Sequence, residues 1–256
     1  MNILITGSAG FIGYHLSKKL LRNNNKVYGL DNLNSYYDVK LKKNRINLLK
    51  EFKNFIFFKI DICKTNQLDK IIKKYKIQYI VHLAAQAGVR YSITNPDIYF
   101  KNNVEGFFKI MELARTNNIK HLLFASSSSV YGNKDKFPIS EDSSTDFPLS
   151  FYGATKKSNE VMAYSYSSIF NMPTTSLRFF TVYGPFGRPD MSLFKFTKNI
   201  IEGKKIDLFN RGNHIRDFSY IDDVVNGIEL IIDKPSKNKI PYNCFNIGNS
   251  KPKKLK

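Results

Sequence analysis

The sequence predicts an α/β fold built on a doubly wound parallel sheet, and three observations lead to this prediction. Short apolar runs typical of strands alternate with segments that have the apolar spacing of amphipathic helices. The first of these runs leads through a glycine-rich turn directly into a helical segment. The chain has 256 residues, 42% of them hydrophobic, which is enough for one large domain and a smaller lobe. Because strand, helix and strand connect by right-handed crossovers, the alternation favours parallel strands with helices on both faces.

The apolar pattern assigns most of the regular elements before residue 180. The predicted strands are Asn2–Thr6, Lys26–Leu30, Phe55–Ile60, Tyr79–Leu83, His121–Ala125 and Thr174–Phe179. The predicted helices are Phe11–Leu21, Leu68–Tyr75, Val104–Arg115 and Asn159–Phe170. After Phe180 a loop rich in glycine and proline interrupts the pattern, which returns as a strand over His214–Tyr220 and a helix over Asp222–Ile232. We expect residues 1–180 and 214–238 to form the main domain and residues 181–213 and 239–256 the smaller lobe, with Lys251–Lys256 as a solvated tail.

Composition and charge argue against several classes of protein. The formal net charge is +19, but the excess is mostly Lys spread along the chain without a localised arginine stripe, so nucleic-acid binding is not predicted. No run approaches the roughly 20 apolar residues that a membrane span needs. Cys63 and Cys244 lie far apart and the 4 histidines are scattered, so neither a disulfide nor a metal site is expected. These features predict a cytoplasmic protein without a metal.

The strongest local signal is the segment from Gly7 through Gly10, Phe11 and Ile12 to Gly13, which lies between the first strand and the first helix. Glycines at this position allow a tight turn, a close approach of backbone N–H groups to a pyrophosphate, and close helix–strand packing. Asp31 ends the second strand, where a carboxylate can accept hydrogen bonds from an adenosine ribose and would repel a 2′-phosphate. The motif therefore predicts a Rossmann-type domain that binds NAD. The alternative is a structural glycine turn beside a solvated aspartate.

Two further strand ends are expected at the same edge of the sheet. Asp61 and Ile62 follow the third strand and are predicted to frame the adenine. Leu83, Ala84 and Ala85 end the fourth strand, where small side chains would let a cofactor lie against the backbone. Taken alone, these small residues are better explained by close packing.

A second group of residues predicts a catalytic function. Tyr152 and Lys156 are four residues apart, which places them on one face of a helix, and Ser127 follows the fifth strand. A tyrosine that acts as a base near pH 7 needs its pKa lowered by about 3 units, or about 4 kcal/mol. A neighbouring ammonium and a positive nicotinamide ring can supply that shift. The spacing also occurs on ordinary helices, so the prediction depends on the glycine turn upstream.

Together these motifs resemble the extended short-chain dehydrogenase/reductase family, specifically its NAD-dependent nucleotide-sugar epimerases and dehydratases. The resemblance runs from Met1 to Lys253 and rests on TGSAGFIG, Asp31, HLAAQAGVR, SSSSVYG, YGATK and RDFSYIDD. The segments DNLNSYYD, AGVRYS and GPFGRPDM are most similar to UDP-glucuronate 4-epimerases. The resemblance implies inversion of C4 of a UDP-sugar, most readily UDP-glucuronate to UDP-galacturonate, through a 4-keto intermediate.

The resemblance also implies roles for individual residues. Tyr152 would be the acid and base, Lys156 would bind the nicotinamide ribose and lower the pKa of Tyr152, and Ser127 would assist. Asn103 resembles the family asparagine beside the cofactor. Family dehydratases carry an Asp-Glu pair directly after the position of Ser127, whereas this chain has two serines there. Dehydration is therefore disfavoured.

Four residues are assigned to the substrate by resemblance. Thr181 and Arg188 resemble residues near the C6 carboxylate, and Arg216 resembles the arginine that binds the diphosphate, a role suited to its bidentate geometry. Arg90 is a further candidate on the substrate side. The alternatives are a strand-end hydroxyl for Thr181, a solvated loop charge for Arg188 and a salt bridge with a nearby aspartate for Arg216.

Two further expectations concern the whole chain. Family members continue past the motif at Phe245–Ser250, so the substrate lobe is expected to be incomplete, and an inactive NAD-binding protein is the alternative from a different class. Among active proteins, a UDP-glucose 4-epimerase or another nucleotide-sugar oxidoreductase is the nearest alternative. The resemblance also implies a homodimer formed by the helix that carries Tyr152 and the helix from Val104.

Overall fold

The strands of the chain form one large sheet and two small ones. The computed structural model describes residues 1–134, 137–206, 212 and 215–254. Its strands are β1 (Asn2–Thr6), β2 (Lys26–Asp31), β3 (Phe55–Lys59), β4 (Tyr79–His82), β5 (His121–Ser127), β6 (Thr174–Phe179), β7 (Thr181–Tyr183), β8 (Ile215–Arg216), β9 (Phe218–Tyr220), β10 (Tyr242–Ile247) and β11 (Lys253–Lys254). Seven of these strands are parallel in the order β10-β6-β5-β4-β1-β2-β3. The order reverses between β1 and β4, which is where open α/β sheets bind ligands.

Helices cover both faces of this sheet. They are α1 (Phe11–Arg22), α2 (Val39–Lys50), α3 (Thr65–Lys74), α4 (Tyr91–Thr94), α5 (Pro96–Tyr99), α6 (Gly106–Thr116), α7 (Phe151–Phe170), α8 (Ser192–Ile201) and α9 (Ile221–Ile231). A π-helical turn, Phe100–Glu105, joins α5 to α6, and a 3-10 turn, Ser128–Tyr131, follows β5. The predicted helix over Val104–Arg115 is therefore the end of a longer helical segment.

The sheet separates two hydrophobic cores because successive side chains of a strand point to opposite faces. Ile3 and Ile5 of β1 pack in the core that α1, α2 and α9 cover. Leu4 packs in the opposite core with α3, α6 and α7. All three side chains are fully buried. The doubly wound parallel fold predicted from the alternating pattern is thus confirmed.

The helix α2 was missing from the pattern read along the sequence. It turns Lys42 and Arg45 inward with Ile46 and Leu49, and both charged residues are buried. Because polar residues occupy inward positions, the apolar spacing that identifies an amphipathic helix is broken.

The end of the chain also differs from the expectation. Residues 239–256 are expected in the smaller lobe, whereas Tyr242–Ile247 forms the edge strand of the main sheet, paired only with β6. Its residues are half-buried or exposed, so they lack the continuous apolar run of a central strand. Lys253 and Lys254 pair antiparallel with Arg216 and Ile215 and are not simply a free tail. His214, the predicted start of the preceding strand, lies outside the described residues. The rest of the lobe division stays a prediction.

Two kinds of feature are absent from the described part of the chain. No helix there combines the length and the apolar character that a bilayer span requires. The same residues contain no group of three or more His, Cys, Asp or Glu side chains arranged to hold a metal ion.

Candidate active site

A cavity of about 1590 Å³ opens at the carboxyl ends of the central strands. Single small-molecule sites usually enclose about 300–1,000 Å³, so this volume suits two ligands side by side. The predicted site residues that line it are Gly7, Gly10, Phe11, Ile12, Gly13, Asp31, Ile62, Leu83, Ala84, Ala85, Arg90, Ser127, Tyr152, Lys156, Thr181, Arg188 and Arg216. The fold therefore brings together residues that are far apart in sequence. Asp61 and Asn103 do not line the cavity.

The glycine turn forms the floor of one half of the cavity. Gly7 has a φ of +73°, and a Cβ there would lie 2.8 Å from the backbone nitrogen of Ala84. A Cβ on Gly13 would lie 2.1 Å from the carbonyl oxygen of Gly7. The helix α1 begins directly after this turn, and no side chain caps its N-terminus. Its first N–H groups can therefore bind the negative charge of a pyrophosphate.

Asp31 lies beside this turn and is 9% exposed. Its Oδ2 accepts a hydrogen bond from the Ala9 N–H at 3.2 Å, and its Oδ1 accepts one from the Leu33 N–H at 2.8 Å. Burial raises the pKa of Asp31, while the Leu33 N–H and the positive charge of Lys42 act in the opposite direction. A carboxylate beside uncapped N–H groups and a glycine cradle fits the adenosine end of a dinucleotide.

Asp61 and Asn103 act from behind the cavity wall. Asp61 accepts hydrogen bonds from Asn32 Nδ2 at 2.9 Å and from the Cys63 N–H at 2.9 Å. Burial opposes ionisation of Asp61, but these hydrogen bonds outweigh it and lower its pKa. Asn103 is buried, and its amide exchanges two hydrogen bonds with the backbone of Gln86, at 2.8 and 3.0 Å. Both side chains are predicted to lie against the cofactor; in this structure they bond to neighbouring protein groups, and a contact with NAD stays a prediction.

The first turn of α7 brings Tyr152 to Ser127. Ser150 caps this helix by accepting a hydrogen bond from the Gly153 N–H at 3.0 Å. A Cβ on Gly153 would lie 2.7 Å from the carbonyl oxygen of Ser129, so the helix begins in close contact with the turn after β5. Tyr152 and Ser127 consequently line the same cavity.

The electrostatics of Tyr152 depend on its burial and on a nearby charge. Burial raises its pKa, and the charge of Arg188 and, to a smaller extent, the nearby Ser127 side chain counteract part of that rise. Lys156 Nζ lies 5.9 Å from the centre of the Tyr152 ring and donates to the carbonyl oxygen of Ala125 at 2.8 Å. Burial lowers the pKa of Lys156 to about 8. The charge that opposes the rise at Tyr152 is that of Arg188, while the buried Lys156 ammonium faces a carbonyl, and the lowering of the Tyr152 pKa by Lys156 stays a prediction.

The other predicted substrate residues lie around the second half of the cavity. Thr181 begins β7, and its N–H donates to the Asp217 carbonyl oxygen at 3.0 Å. Arg188 is largely buried and pairs with Asp190. Arg216 is exposed at the rim, where its Nη1 donates to the neighbouring Ile215 carbonyl oxygen at 2.8 Å. The salt bridge considered for Arg216 is absent from the ion pairs of the described residues.

Comparisons with known proteins agree with this geometry. The family model described as the NAD dependent epimerase/dehydratase family matches residues 3–248. The chain belongs to this family. NAD is accordingly its cofactor, and the glycine turn with Asp31 is the place that fits it.

Several relatives of this epimerase/dehydratase family member are similar along its whole length. Protein CapI of Staphylococcus aureus is 49% identical over 269 residues, which cover 100% of this chain and 80% of the relative. A probable UDP-glucuronate 4-epimerase of Rhizobium meliloti is 42% identical and is covered to 79%. The crystal structure of a UDP-glucuronic acid 4-epimerase from Bacillus cereus with UDP-glucuronic acid and NAD superposes with a TM-score of 0.92 at 36% identity, covering 100% of this chain and 80% of that one.

One feature of this family member was not anticipated from its sequence. Glu160 and Arg178 form a buried ion pair between α7 and β6, with Nη2–Oε2 at 2.8 Å and Nε–Oε1 at 2.9 Å. Glu160 also accepts hydrogen bonds from Ser126 Oγ at 2.6 Å and Ser176 Oγ at 3.2 Å. The pair joins the helix that carries Tyr152 to β6, and the hydrogen bond from Ser126 joins the same carboxylate to β5, the strand that ends at Ser127. The only signal in the sequence is an arginine within the apolar run of β6.

Proposed function

We propose that this chain is an NAD-dependent 4-epimerase that interconverts UDP-glucuronate and UDP-galacturonate. The observation that carries the proposal is that Tyr152, Ser127 and the guanidinium of Arg188 share one cavity with an uncapped glycine turn. Relatives named UDP-glucuronate 4-epimerase and a structure that contains UDP-glucuronic acid and NAD support the choice of substrate.

The half of the cavity around α1 would hold NAD. The N–H groups after Gly7 would bind its pyrophosphate, Asp31 its adenosine ribose, and Ile62 and Ala84 would lie along its adenine and nicotinamide halves. When bound, NAD accepts a hydride from C4 of the sugar and later returns it. Lys156 would hold the nicotinamide ribose.

Tyr152 would take the proton from the sugar 4-hydroxyl and give it back to the 4-keto oxygen. Ser127 would donate a hydrogen bond to that same oxygen, since it lines the same cavity as Tyr152. The positive charge of Arg188 and of the bound cofactor would stabilise the phenolate, because burial alone raises the pKa of Tyr152. Rotation of the 4-keto sugar between the two transfers exposes its opposite face, so C4 is inverted and no external oxidant is consumed.

The second half of the cavity would hold the sugar. Arg188 would bind the C6 carboxylate through its planar fork, with Thr181 as a hydrogen-bond partner. Holding that carboxylate is important because a 4-keto uronate is a β-keto acid and loses carbon dioxide easily. Ser128 and Ser129 also line the cavity, and neither supplies the acid that elimination of water requires. Arg216 and Arg90 would bind the diphosphate side.

The test is incubation of the purified chain with UDP-glucuronate, UDP-glucose and UDP-N-acetylglucosamine in separate reactions with NAD, followed by chromatographic separation of the products. UDP-galacturonate should form from UDP-glucuronate. Formation of another 4-epimer without UDP-galacturonate would overturn the proposed substrate. A decarboxylated product would overturn the proposed reaction.

We further propose that two copies of the chain pair through α6 and α7. Both helices expose apolar side chains on the outer surface, including Phe108 of α6 at 44% exposed and Val161 and Ile169 of α7 at 57% and 68% exposed. Exposed apolar patches of this kind mark protein interaction sites. Light scattering after size exclusion should give twice the chain mass, and Val161→Asp should reduce it to one chain mass. A monomeric parent chain would contradict the proposal.

A further inference from the structure

Asp190 joins two distant segments at the wall of the cavity. Arg188 donates from Nε to Asp190 Oδ1 at 3.0 Å and from Nη2 to Oδ2 in a second, short hydrogen bond. Tyr36, on the loop that follows Asp31, donates its hydroxyl to the same Oδ2 at 3.3 Å. All three side chains line the cavity.

This arrangement fixes the direction of the guanidinium. Asp190 occupies the edge of the fork formed by Nε and Nη2, so the edge that includes Nη1 is left for another partner. The side chains of Arg188 and Asp190 are 25% and 20% exposed, and a planar fork held on one edge cannot rotate without breaking both hydrogen bonds.

The Tyr36 side chain is itself held in place by its neighbours. Gly88 has a φ of +102°, and a Cβ there would lie 2.4 Å from the Tyr36 hydroxyl, so a side chain at this position would displace the phenol. The Tyr36 ring packs 5.2 Å from the ring of Tyr91. Burial and the negative charge of Asp190 raise the pKa of Tyr36 to about 12, so its hydroxyl remains a hydrogen-bond donor at neutral pH.

The backbone that carries Arg188 is anchored separately. Arg45 Nη2 donates to the carbonyl oxygen of Gly187 at 3.3 Å, and His15 Nε2 lies 2.8 Å from that of Pro185. The ring of Phe186 packs 5.3 Å from that of Tyr14. With the backbone fixed by α1 and α2, the contact with Asp190 is what sets the direction of the Arg188 side chain.

We propose that Asp190 and Tyr36 are positioning residues that direct Arg188 at the sugar carboxylate and thereby set the preference for an acidic over a neutral nucleotide sugar. The inference rests on the proposed function, which assigns the carboxylate to Arg188. Asp190 carries a negative charge near that carboxylate and could instead act by repulsion. In that case removing its charge would strengthen binding of the acidic sugar, whereas a positioning role predicts that binding weakens.

The experiment measures binding of UDP-glucuronate and UDP-glucose by isothermal titration calorimetry to the NAD-saturated full chain. A Tyr152→Phe background prevents turnover during the titration. Adding Asp190→Asn should weaken UDP-glucuronate binding about tenfold and UDP-glucose binding less than about twofold, since a charge-assisted pair is among the stronger hydrogen bonds. Adding Tyr36→Phe removes one hydroxyl and leaves the charges of Asp190 and Arg188 in place. This substitution should weaken UDP-glucuronate binding about threefold.

The chain contains a matched control outside the cavity. Arg115 donates from Nε and Nη2 to Glu112 at 3.0 and 2.9 Å, and Tyr166 donates to the same carboxylate at 2.8 Å. Glu112→Gln and Tyr166→Phe remove the same groups from the same geometry and should leave the ratio of the two affinities unchanged.

The outcomes separate the inference from the proposed function. A background protein that does not prefer UDP-glucuronate refutes the proposed function and the inference with it. A background protein that does prefer it, with the preference kept in both Asp190→Asn and Tyr36→Phe, refutes the positioning role alone. Tighter UDP-glucuronate binding by Asp190→Asn also overturns the positioning role, because Asp190 would then act by repulsion. Equal losses of affinity for both sugars overturn it as well, because they indicate general damage to the fold.

Discussion

Replacing Glu160 by glutamine tests whether the buried ion pair holds α7, the helix that carries Tyr152, on the sheet. The side chains of Glu160 and Arg178 are 3% and 7% exposed, and the carboxylate accepts two hydrogen bonds from the guanidinium. Glu160→Gln leaves the Arg178 charge buried without a counter-charge. Removing one partner of a buried pair costs about 3–5 kcal/mol, and the remaining amide oxygen should keep the loss near the lower limit.

A loss of about 3 kcal/mol corresponds to a fall in Tm of about 6–12 °C for a chain of this size. Differential scanning calorimetry at pH 7 measures the Tm, and urea unfolding measures the free energy of unfolding. The matched comparison is Asp69→Asn on α3, whose pair with Lys73 has side chains 31% and 67% exposed. Exposed pairs contribute about 0–1 kcal/mol, so this variant should unfold within about 3 °C of the parent.

The same variant should also lower kcat, since Glu160 lies one helical turn beyond Lys156 and accepts a hydrogen bond from Ser126, which adjoins Ser127. Adding Arg178→Met to Glu160→Gln removes the unpaired charge and should recover part of the stability. Equal losses in Glu160→Gln and Asp69→Asn, or a loss below about 1 kcal/mol in the former, would refute the reasoning from burial.

Three further predictions concern the cofactor, the reacting group and pH. Tyr152→Phe should reduce kcat about 10²–10⁴-fold while leaving NAD affinity within about twofold, and unchanged turnover would exclude Tyr152 as the acid and base. Gly13→Ala places a Cβ 2.1 Å from the Gly7 carbonyl oxygen, so it should abolish the NAD-induced rise in Tm that the parent shows, and an unchanged rise would contradict the proposed cradle. Burial lowers the pKa of His82 to about 3, so the unfolded chain binds a proton below about pH 6.5 that the folded chain binds only near pH 3. Stability from His82 is therefore complete above about pH 6.5 and falls as the pH drops toward 3, and urea unfolding of His82→Gln between pH 7 and 4 should show a shallower loss than the parent.

Much of the fold follows from local patterns. The glycine turn could be identified because its glycines lie within a few residues of one another, between a strand and a helix whose apolar periods differ. The strands from β1 to β6 were predicted to within a residue or two because buried parallel strands are continuous apolar runs. The helix α2 was not found, because Lys42 and Arg45 face inward and make long-range contacts that no local period records. The edge strand β10 was assigned to the smaller lobe because it pairs on one side only.

The sequence by itself determined the fold class, the glycine turn with Asp31, and the pairing of Tyr152 with Lys156 on one helical face, since sterics and helical period act between neighbours in the chain. The tertiary structure decided the charges that surround Tyr152. Arg188, Asp190 and Tyr36 come from two segments far apart in sequence, and their contact depends on anchors in α1 and α2. The pKa of a side chain depends on its burial and on charges that approach through space, so the opposition of burial and Arg188 at Tyr152 exists only once the chain has folded.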